Sequence, residues 1–274
     1  MDTLEEFAFK QKKYMPVFPK ATGKPTIYIE GYPYEDDEPM SATEFHGEQI
    51  VTLSDQLKRY FAINELVHIA VDSFIYYSEG DISKCVAPDI FIVFGVEKYP
   101  LRRSFYTWSE GTAPVVVFEF LSNSTPPHDR HRKVEIYLND IGVQEYFIHQ
   151  PEMEKSAEFR GWRRSTSGNI VEMVSDAEGG LFSAALNLRF RWEDDLTTHV
   201  RLLRPYLPDG TPITTSVEEE QLRLQEKELR LQEKELREEA ETKAAAEVKR
   251  RQEVEIELEQ LRAELAKGQN ETPS

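Results

Sequence analysis

Seven consecutive residues, Val115-Val-Val-Phe-Glu-Phe-Leu121, are apolar throughout except for one glutamate. Side chains of a strand alternate between the two faces of a sheet, so a strand apolar on both must be covered on both. A chain that contains one needs layers above and below a sheet, which directs it to an α/β or α+β architecture. Two more apolar stretches of strand length, 66–77 and 89–96, precede it. Between them and the N-terminal region, 46–61 has Ile50, Leu53, Leu57, Tyr60 and Phe61 at helical spacing. Thr43 or Ser41 is placed to cap that helix, with Glu44 and Glu48 near its positive end.

After the apolar strand a polar loop covers 122–127, and a helix is expected over about 129–140, stopped near Gly142. A strand at 144–150 ends at Pro151. Residues 156–204 alternate short apolar segments with turns at Gly161, Ser167-Gly168-Asn169 and Gly179-Gly180, the pattern of a β-meander closing the sheet. The first 44 residues hold Pro16, Pro19, Gly23, Pro25, Gly31, Pro33 and Pro39. They read as an extension with one short strand at 26–30 and a solvated acidic run, Glu35-Asp-Asp-Glu38.

The chain changes character at 217. No glycine or proline occurs from 217 to 267, and no aromatic residue follows Tyr206. Leu222-Arg-Leu-Gln-Glu-Lys-Glu228 repeats at once as 229–235, a seven-residue period. Glu219/Arg223, Glu226/Arg230 and Glu233/Arg237 have the acid four residues ahead, the favourable helical order. Val254, Leu258, Leu261 and Leu265 are spaced as in a coiled-coil seam, but its backward continuation meets Ala240, Ala244, Glu247 and Arg251. One long helix is expected, either weakly self-associating or simply solvated. The division is therefore an extension, 1–44; a core, 45–216; a charged heptad-like helix, 217–267; and a frayed tail, 268–274.

Composition narrows the function. With 33 basic and 50 acidic residues the formal net charge is −17, which argues against gripping nucleic acid through a broad basic face. The tail, with 17 acidic and 11 basic residues, accounts for −6 of this. A single cysteine, Cys85, excludes a disulfide framework and a cysteine-rich zinc site. No apolar run approaches membrane-spanning length and residues 1–20 have no apolar leader core, so no membrane association and a cytoplasmic location are expected. His128 and His131 have no third histidine or cysteine near them to complete a zinc site. No phosphate-binding glycine loop or nucleophile elbow occurs.

The residue that asks for chemistry is Glu119. An unpaired carboxylate inside an apolar strand costs several kcal/mol. It is kept either by a strand-end position or a structural cation partner, or because it holds a metal or carries a raised pKa. Asp89 opens the preceding apolar strand. Asp129, Lys133 and Tyr137 recur at i, i+4 and i+8, one face of the following helix. Two carboxylates on adjacent strands could thus face one lysine, and such oxygen ligands suit Mg²⁺ or Mn²⁺.

In this ordered set the chain resembles a known family. Ala87-Pro-Asp89, Val117-Phe-Glu119-Phe-Leu-Ser122-Asn-Ser-Thr125, then Asp129, Lys133 and Tyr137, and Gly142-Val-Gln-Glu-Tyr-Phe147 look like the Uma-two family of the PD-(D/E)XK nuclease superfamily. The likeness runs over about 27–215 and includes Pro39-Met-Ser-Ala-Thr-Glu-Phe-His46. It implies a restriction-endonuclease-like core, with a mixed central sheet flanked by helices, and a DNA-cleaving, Mg²⁺- or Mn²⁺-dependent activity. Asp89 and Glu119 match the metal-binding acids, with the Phe120 carbonyl as a further ligand and Lys133 as the pattern's catalytic lysine displaced to the next helix, where it would orient the water or offset phosphate charge. Glu48 would be a third acid; Asp129 and Tyr137 would support the site. Leu121 stands where the superfamily pattern has its lysine, and His149-Gln150 where many relatives have an aspartate. Arg130 and Arg132 flank the site as candidate phosphate contacts.

Two functions follow. One is an endonuclease that hydrolyses phosphodiesters with a metal-activated water, with a homodimer through the core or the tail as its assembly. The other is a catalytically degenerate nuclease-fold scaffold that interacts through its C-terminal helix.

Overall fold

The strand apolar on both faces lies inside a six-stranded sheet. The computed structural model of the chain describes residues 3–35, 43–122, 127–165 and 167–269, and the side chains of 7–35, 43–122, 131–165 and 167–263. In chain order the elements are α1 (Thr3–Tyr14), α2 (Glu44–Tyr60), β1 (Val67–Val71), β2 (Ile75–Tyr76), β3 (Cys85–Val86), β4 (Ile90–Phe94), β5 (Phe105–Tyr106), α3 (Thr107–Glu110) and β6 (Val116–Phe120). There follow α4 (Pro127–Glu135), a π-helical turn (Ile136–Ile141), β7 (Glu145–His149), β8 (Phe159–Arg164), β9 (Ile170–Glu172), β10 (Leu181–Ser183), β11 (Leu188–Asp195), β12 (Val200–Tyr206) and α5 (Ser216–Gln269).

The main sheet has the order β1-β4-β6-β7-β8-β9. Only β6 and β7 run parallel; the other neighbours are antiparallel. The sheet is therefore mixed and the architecture α/β. A parallel pair needs a crossover, and α4 with the π turn supplies it. On one face Ile90, Ile92, Val116, Phe118 and Phe147 pack with Leu53 and Leu57 of α2 and with Leu188, Phe190 and Leu203 of the small sheet β10-β11-β12. On the other, Phe91, Val93, Val117, Tyr146 and Ile148 pack with Val134, Tyr137, Leu138 and Ile141. This double cover is what the unbroken apolar pattern of β6 demands.

Three sequence expectations are corrected. The stretch 66–77 is two strands, because Asp72 takes a left-handed φ of +46° and turns the chain out of the main sheet. Aspartate tolerates that conformation better than the β-branched residues around it. Residues 26–30 form no strand; Thr26 N–H donates to Glu110 Oε1 (2.9 Å), and Ile27 O accepts from Arg103 N–H (2.9 Å), without a ladder. The meander also splits: β8 and β9 extend the main sheet, whereas β10–β12 make a separate one.

The N-terminal segment contains a helix that the turn formers after it obscured. Gln11 of α1 donates to the carbonyls of Arg59 (3.0 Å) and Tyr60 at the end of α2, the first of which also accepts Ala62 N–H. Phe7, Tyr14, Met15 and Phe18 pack on the core. Further on, Gly95 has φ +83°, and a Cβ there would lie 2.4 Å from Pro19 O, so only glycine allows this segment to cross the sheet so closely.

Among the described residues, the outer edge of β12 is closed by single bridges, Glu152 with Val200 and Pro212 with Tyr206, and by side chains. Arg201 N–H donates to Pro151 O (2.7 Å), and Arg201 O meets His149 Nε2 (2.7 Å). Leu203 N–H donates to Gln49 Oε1 (2.6 Å), while Gln49 Nε2 donates back to Leu203 O (3.3 Å). Pro205 has no N–H, and its carbonyl accepts from Ile213 N–H (3.0 Å).

The chain divides into two compact units, Met1–Ser216 and Val217–Ser274. In α5, Glu226 pairs with Arg230 (2.9 Å) as its spacing predicts, Arg223 with Glu220 (3.1 Å) and Arg237 with Glu241 (3.1 Å). Leu222, Leu229, Leu236, Val254, Leu258 and Leu261 are all exposed. Leu265, Ser41, most of the run 35–38 and the end of the tail lie outside the described residues or side chains. Among the described residues, no helix is long and apolar enough to cross a membrane.

Candidate active site

Two carboxylates meet where β4 begins and β6 ends. The antiparallel register places Ile90 opposite Phe118, and one step further brings Asp89 level with Glu119. Glu119 shares its strand face with Val117 and Leu121 and so points toward the crossover layer. It is 8% exposed. There Lys133 Nζ donates to Glu119 Oε2 at 2.7 Å, and Tyr137 OH donates to Oε1 at 2.6 Å. Lys133 lies in the last turn of α4 and Tyr137 in the π turn that follows. That turn closes at Gly142, which has φ +87°.

Asp89 is held separately. Its Oδ2 accepts the Phe120 backbone N–H at 2.6 Å, and its Oδ1 lies 3.0 Å from His46 Nε2. His46 stands in the first turn of α2, which is set by Thr43: the threonine hydroxyl accepts from His46 N–H, and its carbonyl from Gly47 N–H. The imidazole is 9% exposed and lies edge-on to the Phe120 ring, with centroids 6.1 Å apart. Asp72 N–H bonds to Asp89 O at 3.0 Å, so the turn out of β1 lies against the same strand start.

The electrostatics are those of a crowded acidic pair. Burial pushes the Glu119 carboxyl upward; the Lys133 charge pulls it down, Asp89 pushes it up again, and the balance lies above the usual carboxylate range. Burial opposes charge on His46, but the Asp89 hydrogen bond and the charges of Asp89, Glu119 and Asp72 outweigh it and raise its pKa. Burial, and then Glu119, raise Tyr137 far above an ordinary phenol, which keeps it a donor.

The other residues singled out from sequence fall as follows. Glu48 is exposed and accepts from Thr52 one turn along its own helix (3.4 Å), not from the pair. What Phe120 gives the pair in this structure is its N–H. Arg132 is exposed, beside Tyr77. Asp129 and Arg130 lie in α4, with side chains outside those described. His149 and Gln150 are spent on structure: His149 on the edge of β12, and Gln150 Oε1 on Glu152 N–H (3.0 Å). Arg102 is buried against Glu110, and Arg160 pairs with Glu172. His46 is the contact that spacing did not reveal; its sequence signals are its place three residues after the capping threonine and at the end of the stretch 39–46 that shares in the resemblance.

Among the described residues, no three His, Cys, Asp or Glu side chains cluster as a complete protein-only metal site. The Asp89/Glu119 donor set nonetheless fits Mg²⁺, which keeps several waters and takes one or two carboxylates with substrate oxygens. Each carboxylate oxygen that accepts one hydrogen bond retains another lone pair.

No family model and no curated protein matches the chain. Among solved structures it is similar to the 1.96 Å crystal structure of a DUF820 protein from Anabaena variabilis ATCC 29413, a protein provisionally assigned as a nuclease. The TM-score is 0.36 at 16% identity, over 64% of this chain and 88% of that one. That distance is too great to transfer fold or activity from one to the other.

Proposed function

We propose that the chain is a metal-dependent endonuclease acting on DNA. The observation that supports this most is the buried Glu119 carboxylate beside Asp89, with the Lys133 ammonium on one of its oxygens. Asp89 and Glu119 would hold Mg²⁺ or Mn²⁺. In an antiparallel pair a residue's N–H and C=O leave on the same edge, so the Phe120 carbonyl faces the side on which Asp89 lies and would serve as a further ligand. When bound, the ion polarises the phosphodiester and lowers the pKa of an attacking water.

The chain's own groups do the rest. Tyr137 fixes the orientation of Glu119 by holding its inner oxygen. Lys133, with its side chain 26% exposed, places a cation where negative charge grows on the phosphate. Arg132, on the outer face of the same helix, is available to a neighbouring phosphate. The Uma-two resemblance of the sequence adds to this reading.

A scaffold without activity is favoured by one observation: all four carboxylate oxygens already receive a protein donor. Calorimetric titration with Mn²⁺ and Mg²⁺, with plasmid nicking on the same samples, separates the two. The nuclease reading expects binding and nicking in the wild type and neither in Asp89→Ala. A wild type that binds no ion would leave the scaffold.

A further inference from the structure

We propose that His46 is a positioning residue that holds Asp89 in the orientation needed to take a divalent ion. This rests on the nuclease reading of the site. The geometry is specific. Asp89 is gripped by two donors from different elements, Phe120 N–H on Oδ2 and His46 Nε2 on Oδ1. The two grips are joined, because the Phe120 ring packs edge-on against the imidazole. Losing His46 leaves the carboxylate, 17% exposed, with one donor and freedom to rotate about its last torsion.

Packing alone does not account for a histidine here. Its other nitrogen, Nδ1, is buried without a hydrogen-bond partner. A buried polar atom left unsatisfied is a cost that an apolar ring of the same shape would avoid. What offsets that cost is the hydrogen bond from Nε2 to Asp89. Groups that orient metal-binding carboxylates affect metal affinity about 10–100-fold when removed.

The test uses the full chain and Mn²⁺ alone, read by calorimetry, with thermal melting of each protein. His46→Phe keeps the ring and its packing but has no donor; His46→Gln puts an amide N–H near the position of Nε2. The expectation is Mn²⁺ affinity about 10–100-fold weaker in H46F at a near-unchanged melting temperature, and affinity within a few-fold of wild type in H46Q. Wild-type affinity in H46F overturns the positioning role. If H46F does not fold, H46Q decides: a tenfold or greater loss in folded H46Q overturns the role, and near-wild-type affinity supports it. Asp89→Ala separates the failures. Should D89A abolish binding while H46F leaves it intact, only the inference falls. Should the wild type bind no Mn²⁺, or D89A bind as well as wild type, the nuclease reading falls and the inference with it.

Discussion

Lys133 Nζ lies 2.7 Å from Glu119 Oε2, so the lysine reaches a strand that precedes it through the crossover between the two parallel strands of the sheet. The resemblance read from the sequence would place a lysine two residues after the acid, on the strand itself. Here that position is Leu121, buried with Val134 and Leu138, and the cation arrives from the next layer instead. Replacing Lys133 with methionine keeps the stem and removes the charge. Nicking should fall on the order of 10²-fold or more, the usual loss for a group that stabilises transition-state charge. The melting temperature should move little, because Glu119 can respond by taking a proton. Full nicking by K133M would remove the lysine from the mechanism.

Tyr137→Phe isolates the other oxygen of Glu119. The ring stays packed on Tyr146, and a buried acceptor loses its donor. A loss of about 1–3 kcal/mol is expected, seen as a melting temperature lower by roughly 2–4 °C per kcal/mol. A melting temperature equal to wild type would mean that the hydroxyl does not hold the carboxylate.

Away from the site, Arg102 and Glu110 form an ion pair whose side chains are 2% and 1% exposed. Arg102 also donates to Glu97 O (3.0 Å). Arg102→Met strands a buried carboxylate and should destabilise by about 3–5 kcal/mol. Chemical denaturation measures it. The double variant Arg102→Met/Glu110→Leu should recover much of the loss, since it removes both charges; no recovery would locate the energy elsewhere.

Acid should weaken the fold through two histidines. Burial, and then the Arg102 charge, lower His68 to about 4; burial foremost lowers His149 to about 4 as well. Unfolded histidine titrates near 6.5. Between those values the unfolded chain takes protons that the folded one refuses. The contribution of these two histidines is therefore full above about 6.5, shrinks as the pH drops toward 4 and is gone below that, on the order of 3 kcal/mol for each. The raised carboxyls of Glu119 and Glu145 act oppositely, gaining protons in the folded state first. His149→Gln should make the loss between pH 7 and 5 shallower, as read from urea midpoints. An unchanged slope would show that His149 does not contribute.

The sheet and its crossover were legible in the sequence because burial on two faces leaves a strong pattern. The pairing of Asp89 with Glu119 could be anticipated, since Asp89 opens one apolar strand and Glu119 interrupts the next. Three things were not legible. α1 has too weak an apolar stripe to stand out among prolines and glycines. The break at Asp72 depends on a backbone angle that neighbouring residues do not announce. His46 acts through a contact 43 positions away, and a histidine on a helix with apolar neighbours reads as packing until its partner is known. Glu48, two residues further along the helix, is on the solvent side, as its place near the helix N-terminus suggested.

The outer backbone groups of Arg201, Leu203 and Pro205 are all met by a side-chain amide, an imidazole, a loop carbonyl or a loop N–H, and one is deleted by proline. A strand usually invites another strand along its open side, which is how folded chains recruit one another into extended sheets. Here the invitation is withdrawn from within: Gln49 imitates the peptide group of a neighbour and occupies its place. Gln49 is fully buried and is one of several groups that together leave this edge of β12 no open ladder. Its loss would leave the buried Leu203 N–H and C=O without these partners, a cost in stability on the order of 1–3 kcal/mol for each group.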